Sequence, residues 1–321
     1  MRVLFITANR LGDAILSTGL LAAAVERDPL VKFTIACGPA AAGLFQPSAM
    51  PNLERLIVLH KRPWAGHWWD LWKQVATTRW SMVVDLRGSV ISQFLMAHRR
   101  RVFLGGGNPN QHRLISLSRV LKLPVPVAPR IWISEANQRR AAKLWPEAGP
   151  VLAIGPTANW GGKIWPGERF AELAARLTAP DGILPGARIA VFGGPGEEAL
   201  AAPALAALPP ERSINLVGKL DLLDLAAALQ RCALYIGNDS GLMHLAAAVG
   251  VPTLGLFGPS REDVYGPWGQ NTASVRTDLD YDAIVRSPGY DYRKHDSHML
   301  TLSVDKAQRA AETLWRQSRE D

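Results

Sequence analysis

Short runs of consecutive apolar residues alternate along the chain with longer segments in which apolar residues recur every three or four positions. Runs such as Val3–Ile6 are typical of strands buried on both faces of a parallel sheet, and segments such as Ala14–Arg27 predict amphipathic helices. The alternation restarts at Val151. We therefore predict an α/β protein with two Rossmann-like domains, residues 1–147 and 148–321.

Within the first half, the same pattern makes several local predictions. A helix is expected over Val90–Arg99, followed by a short strand at Val102–Leu104. Trp69 and Trp72 stand at helical spacing, which favours positions in the core. The proline-rich stretch Leu123–Pro129 is typical of a connection between domains.

The most informative stretch of the second half is a polar turn between two predicted elements. Ala233–Ile236 is an apolar run, residues 240–249 predict a helix, and Gly250 stands where a helix ends. In open α/β sheets such turns bind ligands, and helix N-termini favour phosphate groups. Asp239 is suited to sugar hydroxyls and His244 to the same pocket, but each also fits a plain structural role, as a cap or a packed helix residue.

Composition limits the possible partners without selecting one. The 321 residues are 48% hydrophobic and 20% charged, and the formal net charge of +8 favours an anionic partner: nucleic acid, a phosphorylated substrate or an acidic membrane surface. Lys and Arg are dispersed and no nucleic-acid-binding signature occurs, which argues against nucleic acid. The two cysteines, Cys37 and Cys232, lie in apolar contexts typical of buried thiols.

Several common chemistries lack their motifs. No Gly-x-Gly-x-x-Gly follows the first strand of either half, and there is no P-loop, which argues against a nicotinamide enzyme or an ATPase. The first apolar run is too short for a signal peptide, and no run of about 18 apolar residues predicts a membrane span. The expected location is the cytoplasm.

Two polar groups of the first half stand where ligands are expected. Asp13 lies at the start of the first helix, after the first strand, where it is either an N-cap or a carboxylate that faces a cleft. Lys61 and Arg62 belong to a basic, tryptophan-rich patch and are suited to holding an anionic group.

Four segments together resemble glycosyltransferase family 9, the bacterial ADP-heptose:lipopolysaccharide heptosyltransferases. They are Leu11-Gly12-Asp13, Lys163-Ile164-Trp165-Pro166, Gly193-Gly194-Pro195-Gly196-Glu197 and Asn238-Asp239-Ser240-Gly241-Leu242-Met243-His244. The resemblance spans nearly the whole chain and implies a GT-B fold, in which two Rossmann-like domains face each other. It also implies that the amphipathic C-terminal helix, predicted at Val304–Arg316, packs back onto the N-terminal domain.

The resemblance further implies roles for individual residues. Asp13 matches the general base of an inverting transfer, and Lys163 matches the lysine that stabilises the departing diphosphate. The C-terminal domain is expected to bind the donor, ADP-L-glycero-D-manno-heptose, through Thr157, Asn159, Lys163, Glu197, Asp239, Ser240, Gly241 and His244. The N-terminal domain is expected to bind the acceptor through Gly12, Lys61 and Arg62.

The implied acceptor is a phosphorylated lipid-linked oligosaccharide of the lipopolysaccharide core, either lipid A–Kdo or a heptosylated core. Because this acceptor is a lipid, we expect peripheral contact with the cytoplasmic face of the inner membrane. No Asp-x-Asp pair suited to a metal–diphosphate bridge lies near the motifs, so neither a metal nor another cofactor is expected.

Other readings of the sequence remain open. Gly161-Gly162 stands where family members can carry acidic residues, and Tyr281–His298 has no recognised counterpart. Two alternatives follow: the chain uses another nucleotide sugar or acceptor, or it binds a nucleotide sugar without catalysis. An epimerase of GT-B fold fits the contexts of Asp13 and Lys163 less well.

Overall fold

The computed structural model describes residues 1–105, 108, 110–145, 149–288 and 290–320. The chain divides into two compact units, Met1–Ser134 and Glu135–Asp321. Each unit is built around one parallel sheet flanked by helices, as the alternating pattern predicts.

The first unit contains a five-stranded parallel sheet with β1 at its centre, in the order β3-β2-β1-β4-β5. The central strand is buried because both of its neighbours pair with it and helices cover both faces. Its strands are β1 (Arg2–Ile6), β2 (Lys32–Cys37), β3 (Leu53–Val58), β4 (Trp80–Asp85) and β5 (Ala97–Val102); its helices are α1 (Leu11–Arg27), α2 (Pro39–Ala42), α3 (Gly66–Val75) and α4 (Arg113–Val120), with 3₁₀ turns at Pro63–Ala65 and Val90–Phe94.

Three local predictions for this unit are wrong. The segment predicted as one helix over Val90–Arg99 is a 3₁₀ turn followed by the edge strand β5, which pairs with β4. The Arg100 guanidinium binds the carbonyls of the preceding turn, including that of Ser92 at 3.0 Å, and so holds the chain in a bend that a helix would not allow. Trp69 is 56% exposed on α3, whereas Trp72 packs against the core as predicted.

The third concerns the proline-rich stretch 123–129, which lies inside the first unit rather than between domains. Its carbonyls at Val127 and Ala128 lie so close to Gly19 of α1 that a side chain at this glycine would collide with them. Directly after this stretch, the Arg130 backbone N–H donates a hydrogen bond to Thr18 Oγ1 of α1 at 3.0 Å. The stretch therefore closes the first unit against α1.

The second unit contains a six-stranded parallel sheet in the order β11-β10-β9-β6-β7-β8, in which β9 and β6 are central. Its strands are β6 (Val151–Gly155), β7 (Arg188–Val191), β8 (Ser213–Asn215), β9 (Leu234–Asn238), β10 (Thr253–Phe257) and β11 (Thr272–Arg276); its helices are α5 (Glu135–Ala142), α6 (Gly167–Leu177), α7 (Glu198–Ala207), α8 (Leu222–Leu229), α9 (Gly241–Ala248), α10 (Glu262–Tyr265), α11 (Tyr281–Val285) and α12 (Val304–Glu320), with a 3₁₀ turn at Gly161–Lys163.

Helix α5 belongs to the second unit because it is tied to α8. The Asp224 carboxylate of α8 accepts hydrogen bonds of 2.7 Å from Asn137 Nδ2 and from the Arg140 guanidinium. Burial alone raises the pKa of Asp224, but the hydrogen bonds from Arg140 and Asn137 and the charge of Arg140 together lower it. The domain boundary predicted between residues 147 and 148 lies outside the described residues.

The last helix, α12, extends beyond the predicted 304–316 to Glu320. Its buried face packs on α6, β10 and β11 of its own unit, through Val304, Ala307, Ala311 and Leu314. Packing of this helix onto the N-terminal domain stays a prediction. Among the described residues no helix is both long enough and apolar enough to span a membrane.

Candidate active site

Polar residues of the second unit gather where the central strands β6 and β9 end. These strands are adjacent and parallel, with Gly155 opposite Gly237, so the loops that follow them leave the same edge of the sheet. The loop after β6 carries Thr157 and Lys163, and the loop after β9 carries Asp239. Residues far apart in sequence therefore meet at one edge.

An ion pair joins the two loops. The Lys163 ammonium contacts the Asp239 carboxylate, and both side chains are largely buried. The sequence singled out each residue separately, and the structure brings them together. Because burial weakens solvent screening, this pair places one cation and one carboxylate in a fixed arrangement.

Asn238 fixes the backbone beneath this ion pair. Its side chain is fully buried; Oδ1 accepts a hydrogen bond from the Trp165 backbone N–H at 3.1 Å, and Nδ2 donates to the Pro156 carbonyl at 2.9 Å. Trp165 is itself buried and donates its indole N–H to the Leu302 carbonyl at 2.9 Å. Sequence reasoning missed this role, because an Asn in a polar turn gives no sign of its partners.

A second polar pair lies at the start of α7. The Glu197 carboxylate accepts hydrogen bonds from Thr157 Oγ1 at 2.6 Å and from the Gly194 backbone N–H at 2.7 Å. Two of the predicted donor-binding residues are thus in direct contact. Asn159 follows on the same loop, where its side chain is exposed.

The N-terminus of α9 completes this edge. Ser240 is the N-cap, with an extended backbone, and Gly241 begins the helix, so the first-turn N–H groups and the positive end of the helix dipole lie beside Asp239. His244 is buried one turn into the helix. Gly250 follows the helix with φ +85°, which confirms the predicted glycine stop.

Tyr235 of β9 is a buried residue of this edge that sequence reasoning missed. Its ring lies over Gly155 and Gly237, where a Cβ at either position would collide with the phenol. Burial raises the pKa of Tyr235; the nearby Ser240 hydroxyl lowers it and the charge of Glu197 raises it. The two strand-end glycines thus make room for this ring beside the residues predicted to bind the phosphate and the ribose of the donor.

The segment 290–298, which the sequence left without interpretation, holds the loop that carries Lys163. The His298 backbone N–H donates to the Gly162 carbonyl at 3.0 Å, and Ser297 Oγ donates to the Ile164 carbonyl at 2.6 Å. The two carbonyls flank Lys163 in the chain. We call residues 290–298, without the undescribed Gly289, the brace.

Trp160 anchors the other end of this loop to the brace. Its indole N–H donates to the Lys294 carbonyl at 2.7 Å, and its ring lies near those of Tyr290 and His298, with centroids 6.3 and 5.7 Å away. Gly161 packs against the His295 carbonyl so closely that no side chain fits. This contact explains why glycine stands at position 161 of this chain.

In the first unit, Asp13 lies in the first turn of α1, and Gly12 directly precedes it. The N-cap is Arg10, so the interpretation of Asp13 as the cap is wrong. The Asp13 carboxylate faces Arg113 Nε at 3.6 Å, and the Arg113 guanidinium lies over the Phe103 ring at 4.4 Å. Sequence reasoning missed Arg113, which lies in a stretch without a regular pattern.

Lys61 and Arg62 lie in the connection between β3 and α3 and are exposed. Arg62 pairs with Asp70 at 2.5 Å. Because β1 and β3 are parallel, this connection leaves the same edge of the first sheet as the loop before Asp13. In the described part of the chain, no three His, Cys, Asp or Glu side chains gather as a metal site requires.

Comparison with known proteins gives a consistent picture. The model of glycosyltransferase family 9 (heptosyltransferase) matches residues 110–287, more than half of the chain. Lipooligosaccharide heptosyltransferase 2 of Haemophilus influenzae is 27% identical over 68% of this chain, a match that spans 60% of the relative's own length.

Solved structures agree in fold. The glycosyl transferase family 9 structure from Veillonella parvula has a TM-score of 0.80 at 23% identity and covers 98% of this chain and 97% of its own. E. coli heptosyltransferase WaaC with ADP has a TM-score of 0.71 at 19% identity and covers 98% and 100%. The predicted α/β class and GT-B fold are thereby confirmed. The chain belongs to glycosyltransferase family 9, the heptosyltransferase family.

Proposed function

We propose that this protein transfers a heptose from ADP-L-glycero-D-manno-heptose to an acceptor in the lipopolysaccharide core, with inversion at the anomeric carbon. The observation that carries the proposal is the meeting of Lys163, Asp239, Thr157 and Glu197 at one sheet edge, beside the start of α9. The names of the relatives support a heptose donor and a lipid-linked saccharide acceptor. The ADP in the WaaC structure supports an adenine nucleotide.

The second unit is proposed to bind the donor. Glu197, held by Thr157 and Gly194, presents a carboxylate for the ribose hydroxyls. Lys163 and the first turn of α9 supply positive charge for the diphosphate, and Asp239 accepts hydrogen bonds from the heptose hydroxyls. Because these groups neutralise the departing diphosphate, the proposal includes no metal.

Asp13 of the first unit is proposed as the general base. As the acceptor oxygen attacks the anomeric carbon, its proton passes to the Asp13 carboxylate, the new C–O bond forms, and the bond to the diphosphate oxygen breaks to release ADP. Arg113, 3.6 Å from Asp13, restrains the orientation of the carboxylate. Attack from the face opposite the diphosphate inverts the configuration.

We further propose peripheral contact of the first unit with an anionic membrane. Residues 1–134 carry seventeen Lys and Arg against six Asp and Glu. Trp64, Trp69 and Phe94 are exposed on the same unit, and aromatic side chains among cations are typical of membrane interfaces. Co-flotation with phosphatidylglycerol vesicles at low salt, and its absence with phosphatidylcholine vesicles, is the expected result.

The experiment that tests the reaction is ADP release from ADP-L-glycero-D-manno-heptose with a Kdo₂-lipid A acceptor. We expect acceptor-dependent release by the wild type and a loss of about 10²- to 10⁴-fold in Asp13→Asn, because a positioned base contributes that much. Glu26→Gln, which changes an exposed carboxylate on the same helix, is the matched control and should retain full activity.

The outcomes separate the alternatives. If nucleotide release requires another nucleotide sugar or a longer core acceptor, the proposed transferase activity stands and the proposed substrates are wrong. Donor binding without turnover, in the wild type as in Asp13→Asn, would favour a non-catalytic binder of nucleotide sugars.

A further inference from the structure

Among the described residues of the first unit, three cationic or titratable side chains have buried polar atoms without a hydrogen-bond partner: His67, Arg87 and Arg113, of which Arg113 faces Asp13. His67 of α3 is 7% exposed, and neither of its ring nitrogens bonds any of the described residues. Arg87, in the turn after β4, likewise has a buried Nη1 without a partner among them. Neither residue is among those that the family resemblance implies.

Both side chains lie against the indole ring of Trp68. The Arg87 guanidinium lies 4.4 Å from the centre of the Trp68 ring, and the His67 ring lies 5.0 Å from it. Burial lowers the pKa of His67, the positive charges of Arg87 and Lys61 lower it further, and the charge of Asp70 raises it. A guanidinium and an imidazole thus lie against the same indole ring.

The nearby carboxylates make their hydrogen bonds elsewhere and leave the buried nitrogens of His67 and Arg87 without an acceptor among the described residues. The Asp85 carboxylate accepts the backbone N–H groups of Arg87 and Ser89, at 2.9 and 2.8 Å, and the Ser89 hydroxyl. Asp70 pairs with Arg62 at 2.5 Å. Burial lowers the pKa of Arg87, and the charge of Asp85 raises it.

Buried polar atoms are costly without hydrogen-bond partners and are paired in almost all native structures. A phosphate group offers several acceptor oxygens and up to two negative charges, and an arginine fork fits it well. We propose that His67 and Arg87, beside the exposed cation Lys61 in the preceding connection, form a binding site for a phosphate group. The site lies at the carboxyl end of β4, on the edge of the sheet that also carries Asp13.

Two sources can supply such a phosphate: the phosphorylated acceptor saccharide, or a phospholipid headgroup. Assigning it to the acceptor rests on the proposed function, whereas phosphate binding itself does not. Exposed Trp64 and Trp69 on the neighbouring 3₁₀ turn and on α3 are compatible with either source. The experiment below therefore has one arm that needs no enzymatic activity.

The first arm is an NMR titration of the full chain, in which the His67 side-chain nitrogens are followed across pH with and without inorganic phosphate. Phosphate should raise the pKa of His67, because an anion favours the protonated ring. Arg87→Gln should weaken phosphate binding about tenfold or more, the usual effect of losing a hydrogen bond between charged groups. Arg79→Gln, at an exposed arginine at the start of β4, is the matched control and should change nothing.

A His67 resonance that ignores phosphate, in a wild-type protein that is folded, would overturn the proposal. A phosphate affinity equal in Arg87→Gln and the wild type would also overturn it. Neither result would bear on heptose transfer, which ADP release measures separately.

The second arm identifies the source. If the acceptor supplies the phosphate, Arg87→Gln should raise the KM for Kdo₂-lipid A but not for the dephosphorylated acceptor, and vesicle binding should stay unchanged. If a phospholipid supplies it, Arg87→Gln should instead reduce binding to phosphatidylglycerol vesicles and leave both KM values unchanged. Either pattern supports a phosphate site, and the first alone supports the acceptor as its source.

Discussion

The two units of this protein differ sharply in charge. Residues 1–134 carry seventeen Lys and Arg against six Asp and Glu, a net charge of +11, whereas residues 135–321 carry nineteen against twenty-two, a net charge of −3. The overall +8 therefore belongs to the first unit alone. The net charge of the whole chain hides this difference between the units, because the two net charges partly cancel.

The polar groups of the two units also make different contacts. In the second unit the predicted site residues pair with one another, Lys163 with Asp239 and Thr157 with Glu197. In the first unit, His67 and Arg87 keep buried polar atoms without partners among the described residues. In the second unit, Tyr235 OH and Ser240 Oγ also lack partners among the described residues, so both units keep polar atoms that a ligand could satisfy.

Within the second unit, the largest expected effect is at Lys163. Lys163→Met removes the cation proposed to stabilise the departing diphosphate, and we expect kcat to fall by about 10²- to 10³-fold, the usual cost of losing one such group. ADP release under saturating donor and acceptor measures it.

A matched control is Lys219→Met, at an exposed lysine of the same unit, which should keep full turnover. Because Lys163→Met also leaves Asp239 without its cation, the melting temperature must be measured in parallel. Unchanged kcat in a folded Lys163→Met protein would remove Lys163 from the chemistry.

A smaller effect is expected from the brace. Trp160→Ala removes the hydrogen bond to the Lys294 carbonyl and the ring contacts with Tyr290 and His298. A neutral hydrogen bond contributes about 0.5–1.5 kcal/mol, so the donor KM should rise about 2- to 12-fold while the acceptor KM stays the same. Trp69→Ala, at an exposed indole of the first unit, should leave the donor KM unchanged. If only the acceptor KM rose, the brace would not support donor binding through the loop that carries Lys163.

The smallest effect is a pH dependence of stability in the first unit. The pKa of His67 lies below its ordinary value of 6.5, so the unfolded chain binds more protons than the folded chain just below that pH. The contribution of His67 to the free energy of unfolding should therefore be fully present above pH 6.5 and be lost as the pH falls below that value. Denaturant unfolding of the wild type and His67→Gln across this range measures the difference in stability between them, which should change with pH below 6.5 and become independent of pH above it. A wild-type stability that increases on acidification below pH 6.5 would contradict the assignment.

The sequence allowed prediction of the second-unit site because its chemistry is written in contiguous motifs. Asn238–His244 places a turn, a carboxylate and a helix start within seven residues, and parallel-strand topology brings the Lys163 loop to the same edge. The α/β class and most strands follow from the apolar runs alone. The site roles of these residues stay predictions until they are measured.

The rest depends on contacts that no local pattern encodes. Arg113 reaches Asp13 from a helix a hundred residues away, and the brace contacts the Lys163 loop through backbone atoms, which any sequence can supply. Edge strand β5 carries three arginines and so looks like a solvated helix end, yet it pairs with β4. Exposure of Trp69 likewise depends on which face α3 turns to the core.

The central claim is that the second unit binds the donor and the first unit binds the acceptor. The Michaelis constants for donor and acceptor, measured in Glu197→Gln and Arg87→Gln, test it most directly. The account predicts that Glu197→Gln raises the KM for ADP-heptose about tenfold and leaves that for phosphorylated acceptor unchanged; where the acceptor supplies the phosphate bound by Arg87, Arg87→Gln does the reverse. If Arg87→Gln instead raised the donor KM, or Glu197→Gln the acceptor KM, the assignment of donor to the second unit and acceptor to the first would be contradicted.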